Sequence, residues 1–188
     1  MQDHELIEKI TTGNATAFQE LFDRYKKLVI NVCYRLVGNR DEAEDLTQDV
    51  FLKIFRSAKH FKHRSKVSTW IYRIAINLSL NHLRRKKYQQ WFSLDDNAPS
   101  KDSVFVELVS TDCPESEFNA QEQEKIVLKA INELPADQRV VVMLQRYDEL
   151  SGQEIAAIVE CSVGAVQARL HRAKKNLYQK LLPYVKEI

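Results

Sequence analysis

Residues 150–175 read Leu-Ser-Gly-Gln-Glu-Ile-Ala-Ala-Ile-Val-Glu-Cys-Ser-Val-Gly-Ala-Val-Gln-Ala-Arg-Leu-His-Arg-Ala-Lys-Lys, and their spacing decides the fold of the C-terminal part of the chain. Ser151 and Glu154 stand three apart, the spacing of a capping box, in which hydroxyl and carboxylate satisfy backbone donors at the start of a helix. Ser162 offers the same kind of cap for a second helix, and small Ala156 lets the two cross closely. The stretch therefore predicts a helix-turn-helix, with Glu160 in the turn where many such motifs carry Gly. On the second helix Val163, Val166, Leu170, Ala173 and Leu177 share one face, leaving Gly164, Gln167, Ala168, His171, Arg172 and Lys175 on the other. Arg can bond guanine in bidentate fashion, Gln can do so with adenine, and Lys and Arg neutralise phosphates, so this second face suits a DNA major groove.

Working outward, the same helical period fills most of the 188 residues. Four Gly, four Pro, 44% hydrophobic and 29% charged residues leave too few turn-formers for a sandwich of many short strands, which predicts an all-α protein. Helices are expected over Asp3 to Thr12, Ala15 to Val37 and Asp41 to Ser57, with Gly13-Asn14 and Gly38-Asn39 as stops. After a loop, His60 to Lys66, a fourth helix runs to about Gln90. Residues 93–118 are acidic, contain Pro99 and Pro114, and show one short apolar cluster at Val104 to Val109, the pattern of a flexible linker. Helical period returns from Asn119 to Leu134 and restarts at Pro135, and the last helix is expected to end near Leu182, before Pro183. The expected organisation is two small helical domains, 1–92 and 119–188, joined by the linker 93–118.

The net charge of +2 conceals a segregation of sign. Val50 to Leu94 holds 11 Lys/Arg and no acid, Asp95 to Glu124 holds nine acids and Lys101, and Cys161 to Lys186 holds six Lys/Arg and no acid. Two basic blocks around an acidic one suit two polyanion-binding surfaces joined by a segment that avoids the polyanion. Cys33, Cys113 and Cys161 are isolated and odd in number, so neither a disulfide framework nor paired metal ligands can be read. No basic segment followed by an apolar run opens the chain, and no stretch approaches the ~18 apolar residues of a membrane span. The expected compartment is the cytoplasm, with no insertion into a membrane. No Gly-rich phosphate loop or metal-binding string is present, so no cofactor and no metal are expected.

In the first basic block, residues 61–87 interleave aromatic rings with cations: Phe-Lys-His-Arg-Ser-Lys-Val-Ser-Thr-Trp-Ile-Tyr-Arg-Ile-Ala-Ile-Asn-Leu-Ser-Leu-Asn-His-Leu-Arg-Arg-Lys-Lys. Rings stack on exposed bases and cations follow a backbone, the requirements for gripping melted DNA. Trp70, Ile71, Ile74 and Leu78 serve equally as core residues. Asn77 and Asn81, four apart, share a face with Arg73 and Arg84; Asn is a mediocre helix former, so its placement there points to polar contact. Residues 41–55 read Asp-Glu-Ala-Glu-Asp-Leu-Thr-Gln-Asp-Val-Phe-Leu-Lys-Ile-Phe. Leu46, Val50, Ile54 and Phe55 give a buried stripe, and Asp41, Glu44, Asp45, Gln48 and Asp49 an exposed one. Such an acidic face repels phosphates and is suited to a protein contact.

The order acidic helix, basic aromatic helix, acidic linker and helix-turn-helix resembles the sigma-70 family, in its smallest subgroup, the extracytoplasmic-function sigma factors. The strings that carry the likeness are 41–51, 68–77 and 150–175. The resemblance implies a factor that binds core RNA polymerase, through the β′ clamp helices and the β subunit, and directs initiation at promoter DNA. It assigns Asp45, Gln48 and Asp49 to the β′ clamp helices. Phe61, Arg64, Lys66, Arg73, Asn77, Asn81 and Arg84 would serve the minus-10 element, where a non-template base is flipped out. Gln167, Ala168, His171, Arg172 and Lys175 would serve the minus-35 element. Related sequences often carry Arg or Lys at the position of Gln167 and Ser or Thr at that of Ala168, departures that bear on which promoter is read. An anti-sigma factor, usually membrane-attached, is the implied regulator, and no obligate homo-oligomer is implied.

Two other classes compete. A stand-alone DNA-binding regulator leaves the acidic helix unexplained and normally needs a dimer to cover two half-sites. A nucleic-acid-processing enzyme could hold Mg²⁺ on the carboxylates of 41–49, but these lie on one helix with no second cluster to complete a site. His60, His63, His82 and His171 lie in basic stretches, as surface or phosphate residues.

Overall fold

Capping explains where the helices begin. In the computed structural model, which describes residues 2–62, 65–92 and 115–185, Asn14 accepts from the Ala17 N–H at 2.9 Å and Asn39 from the Glu42 N–H at 2.9 Å. These bonds start α2 (Ala15–Val37) and α3 (Arg40–Ser57), which follow α1 (Asp3–Thr11). Gly38, at φ 75°, closes α2 with its N–H on the Tyr34 carbonyl, a left-handed conformation that Gly adopts without a Cβ clash. A 3-10 turn at Ala58–His60 leads toward α4 (Val67–Phe92). The later helices are α5 (Glu115–Asn132), α6 (Ala136–Arg146), α7 (Gly152–Val159) and α8 (Val163–Val185). The described residues are helical throughout, with short turns and no strand, as the all-α reading requires. Residues 93–114, most of the expected linker, lie outside the described residues, and residues 115–118 belong to α5.

The chain divides into two compact units, Met1–Ser103 and Val104–Ile188. In the first, α2, α3 and α4 pack on one another and α1 lies against α2. Its core joins Leu6, Ile7, Leu21, Val29, Val50, Ile54, Val67 and Ile71, all essentially without exposed surface. The Phe22 and Phe51 rings, 4.6 Å apart, lock α2 to α3. Asp3 at the start of α1 bonds both Arg24 and Tyr25 of α2. Phe55 does not join the expected buried stripe. It is 48% exposed, because one step of about 100° past Ile54 carries it to the rim, where it meets Phe18 edge-on at 5.4 Å.

In the second unit α8 packs on α5, α6 and α7. Ile131, Leu134, Val141, Leu144, Ile155, Ile158, Val166, Leu170 and Ala173 form its core. The buried Gln138 accepts from Asn176 at 2.8 Å, fastening α6 to α8, and Glu133, in the turn after α5, pairs with Lys180 of α8 at 2.5 Å. The capping box forms as the spacing predicts: the Glu154 N–H reaches Ser151 Oγ at 3.3 Å and the Ser151 N–H reaches Glu154 Oε2 at 3.1 Å. Ser162 Oγ caps α8 by accepting from the Ala165 N–H at 3.2 Å.

Two expectations are corrected in this unit. Pro135 stands at the N-cap, one position outside α6. Val163 shares the face of Val166 and Leu170 but, as the first residue of α8, is 38% exposed. The last helix does not stop before Pro183 but includes it; so close to the end, the missing proline N–H removes a single helical bond.

Candidate nucleic-acid and protein interfaces

Three faces carry the residues singled out from the sequence. On α3, Asp41, Glu44, Asp45, Gln48 and Asp49 are all exposed, because Ala43, Leu46, Thr47, Val50 and Ile54 occupy the inner side. The outer strip continues into Leu52, 50% exposed, and the half-exposed Phe55. The sequence reading missed this apolar continuation, although Leu52 at i+3 from Asp49 could have signalled it. Acidic side chains flanked by open apolar ones repel phosphate and have the chemistry that suits a protein contact.

On α4, Asn77, Asn81 and Arg84 are exposed on successive turns of one face, and the Arg84 guanidinium donates to Asn81 Oδ1 at 3.1 Å. That bond fixes the amide rotamer and leaves the Asn81 NH₂ as a donor toward solvent. Arg73, one turn earlier on the same face, is half-buried and already engaged. Tyr88, a turn later, is 66% exposed and escaped the sequence reading. Lys66 is exposed just ahead of α4. Phe61 is not an open ring: it is half-buried, 4.9 Å from Trp70 and 5.8 Å from the stacked His4 ring. Trp70, half-buried, is therefore part of a ring cluster rather than a free platform. Arg64 and His63 lie outside the described residues.

The inner side of the same stretch of α4 holds a contact that sequence reasoning did not find. The Glu42 carboxylate on α3 accepts from His82 Nε2 at 2.8 Å and from Lys86 Nζ at 2.5 Å. Partial burial pushes the Glu42 carboxyl up, but the hydrogen bonds and charges of Lys86 and His82 outweigh it and hold the group below its ordinary value. His82 is thus half-buried and engaged in an intramolecular contact.

On α8, Gln167, Ala168, His171, Arg172 and Lys175 are all exposed along one face, joined by Gly164, Lys174 and Tyr178. Arg169 is turned the other way, its Nε 3.7 Å from Asp137 Oδ2 and its Nη1 3.7 Å from Cys161 Sγ. The face that remains is basic, polar and free of acids, long enough to lie in a groove about 12 Å wide. Glu160, in the turn before it, adopts φ 54° and ψ 49°. Among the described residues no three metal-ligating side chains cluster, and no helix is long and apolar enough to cross a membrane.

Comparison with known proteins matches residues 21–88 to Sigma-70 region 2 and residues 124–177 to Sigma-70 region 4. The ECF RNA polymerase sigma-E factor of Haemophilus influenzae is 34% identical over 97% of this chain and 97% of its own length. The RNA polymerase sigma-H factor of Pseudomonas aeruginosa is 32% identical over 99% and 97%. Among solved structures, the sigma factor RpoE in complex with the anti-sigma factor NepR from Bartonella quintana shares the fold, with a TM-score of 0.67 and 24% identity over 87% of this chain and 96% of that one.

Proposed function

Because the chain belongs to the sigma-70 family, among its extracytoplasmic-function members, we propose that its exposed faces divide the work of promoter-directed transcription initiation between two domains, 1–92 and 119–188, whose linker, 93–118, ends in the first turn of α5. As a sigma factor it acts with core RNA polymerase on promoter DNA, contributing recognition rather than bond-making chemistry, in the cytoplasm where the polymerase works. Asp45, Gln48 and Asp49 dock on the β′ clamp helices, and Leu52 adds apolar area to that contact. Lys66, Arg73, Asn77, Asn81 and Arg84, with Phe61 and Arg64, serve the minus-10 element. A base leaving the duplex loses stacking worth a few kcal/mol, and amide donors and cations on one α4 face offset that loss as bases are captured. Gln167, Ala168, His171, Arg172 and Lys175 read the minus-35 element in duplex DNA, and the polymerase holds the two domains at the required separation. Control by an anti-sigma factor follows the likeness to RpoE bound to NepR, and covering the α3 strip is the simplest way for such a partner to block docking.

The observation that supports this division is the sorting of charge by helix face: acids exposed on α3, amides and cations on α4, and an acid-free basic face on α8. The test is equilibrium binding to core polymerase with labelled protein. Asp49→Arg should weaken binding at least about tenfold, the scale of a charge reversal at an interface, whereas Arg172→Ala should leave it unchanged. Equal binding by wild type and Asp49→Arg removes α3 from the docking surface.

A further inference from the structure

Resting on the reading of α4 as the minus-10 helix, we infer that Glu42 is a positioning residue for promoter recognition, holding the Asn81–Arg84 turn of α4 in place through His82 and Lys86. α1, α3 and α7 each carry Glu at the third helical position behind a described N-cap, and two of them use it to close their own start. Glu5 accepts from the Gln2 N–H at 3.2 Å, and Glu154 from the Ser151 N–H at 3.1 Å. Glu42 occupies the same position after the Asn39 cap, yet its carboxylate turns away and bonds residues 40 and 44 positions later in the chain.

The need for such a tie lies in α4 itself. Its inner residues are buried up to Ser79, but from Leu80 to Gln89 no side chain is buried. This is the part that carries Asn81 and Arg84. Helix segments with few buried apolar contacts, here only the half-buried Leu80 and Leu83, open locally at lower free-energy cost than a fully packed core, and a mobile recognition turn binds weakly because it must be ordered on binding. His82 and Lys86 lie four apart on one face, and Asn81 and Arg84 point away from it at about 100° per residue. Drawing His82 and Lys86 onto α3 therefore turns Asn81 and Arg84 outward. The same contact joins the minus-10 helix to α3, whose outer strip is the proposed docking surface for polymerase. Glu42 is not part of that strip, so recognition and docking are separable at this residue.

The test uses the full chain with core polymerase and three readouts: hydrogen exchange of the amides of residues 80–88, affinity for core, and affinity of the complex for a fluorescent single-stranded oligonucleotide carrying the non-template minus-10 stretch mapped from the protein's own transcripts. Glu42→Ala should speed exchange at 80–88 about fivefold, the size of a partly exposed ion-pair cluster, and weaken oligonucleotide binding by a similar factor, with core affinity within about twofold of wild type. Exchanging the charges, Glu42→Lys with Lys86→Glu, should recover both losses. Unchanged exchange overturns the anchor, and faster exchange with unchanged oligonucleotide binding overturns the positioning role. A loss of core affinity equal to the loss of DNA affinity would make Glu42 a general stabiliser and overturn the proposal likewise. A wild-type complex that ignores the oligonucleotide sinks the minus-10 reading of α4 and the proposal with it, whereas wild-type binding with an indifferent variant sinks the proposal alone.

Discussion

Replacing Glu160 with Gly should stabilise the helix-turn-helix. Glu160 sits at the C-terminus of α7 in the left-handed region, at φ 54° and ψ 49°, where its N–H and that of Cys161 both reach the Ala156 carbonyl. An L-residue with a Cβ loses about 1–2 kcal/mol in that conformation. Gly removes the loss but brings a more flexible unfolded chain, costing about 0.4–1 kcal/mol. The difference leaves a net gain of about 0.5–1 kcal/mol, because both backbone bonds of the turn survive the change. Trp70 and Trp91, the chain's two tryptophans, lie outside this unit, so native-state hydrogen exchange of buried α8 amides such as Leu170 and Ala173 is the suitable assay. Exchange through unfolding of this unit should slow about two- to fivefold in Glu160→Gly and should not slow in Glu160→Ala, which keeps the Cβ. If Gly and Ala behave alike, the left-handed turn carries no strain and the argument fails.

Other outcomes follow from the same geometry. Arg172→Ala should cost about 1–3 kcal/mol of minus-35 binding, concentrated at one base pair; Lys175→Ala should weaken all sequences alike and lower the salt slope by about one. Fluorescence anisotropy on a panel of minus-35 variants over a salt series separates the two. Asn176→Ala leaves the buried Gln138 carbonyl without its donor and should destabilise the second unit by about 1–3 kcal/mol, read as faster exchange of the α6 amides. Glu42 has its folded pKa lowered, so its pairing stabilises the first unit above the unfolded carboxylate value of about 4.3 and loses that effect as pH falls through the lower folded value. Denaturant curves followed by tryptophan fluorescence should place wild type above Glu42→Gln at pH 7, with the gap closing below about pH 4; a gap independent of pH contradicts the ion-pair account.

Local chemistry was legible in the sequence. Gly38, Ser151 with Glu154, and Ser162 each act over three or four residues, so their spacing suffices to place helix ends, and the five α8 residues share a face because helical period alone puts them there. What escaped depends on partners distant in the chain. Glu42 has a capping-box position, and nothing local reveals that its carboxylate finds His82 and Lys86 on α4. Phe61 reads as an open aromatic in a basic loop until α1 brings His4 against it. Phe55 and Val163 fit apolar periods, but burial at the edge of a stripe depends on where the neighbouring helix ends. Glu160 was visible as a departure from the usual Gly of such turns; its left-handed conformation gives that departure a physical cost.

The most direct measurement is run-off transcription with purified bacterial core polymerase on DNA fragments that include the protein's own upstream region, comparing wild type with Asp49→Arg. Wild type should yield transcripts from defined start sites, and Asp49→Arg should abolish them. If a matched core polymerase gives no specific transcript with the wild-type protein, the promoter-directing role is contradicted.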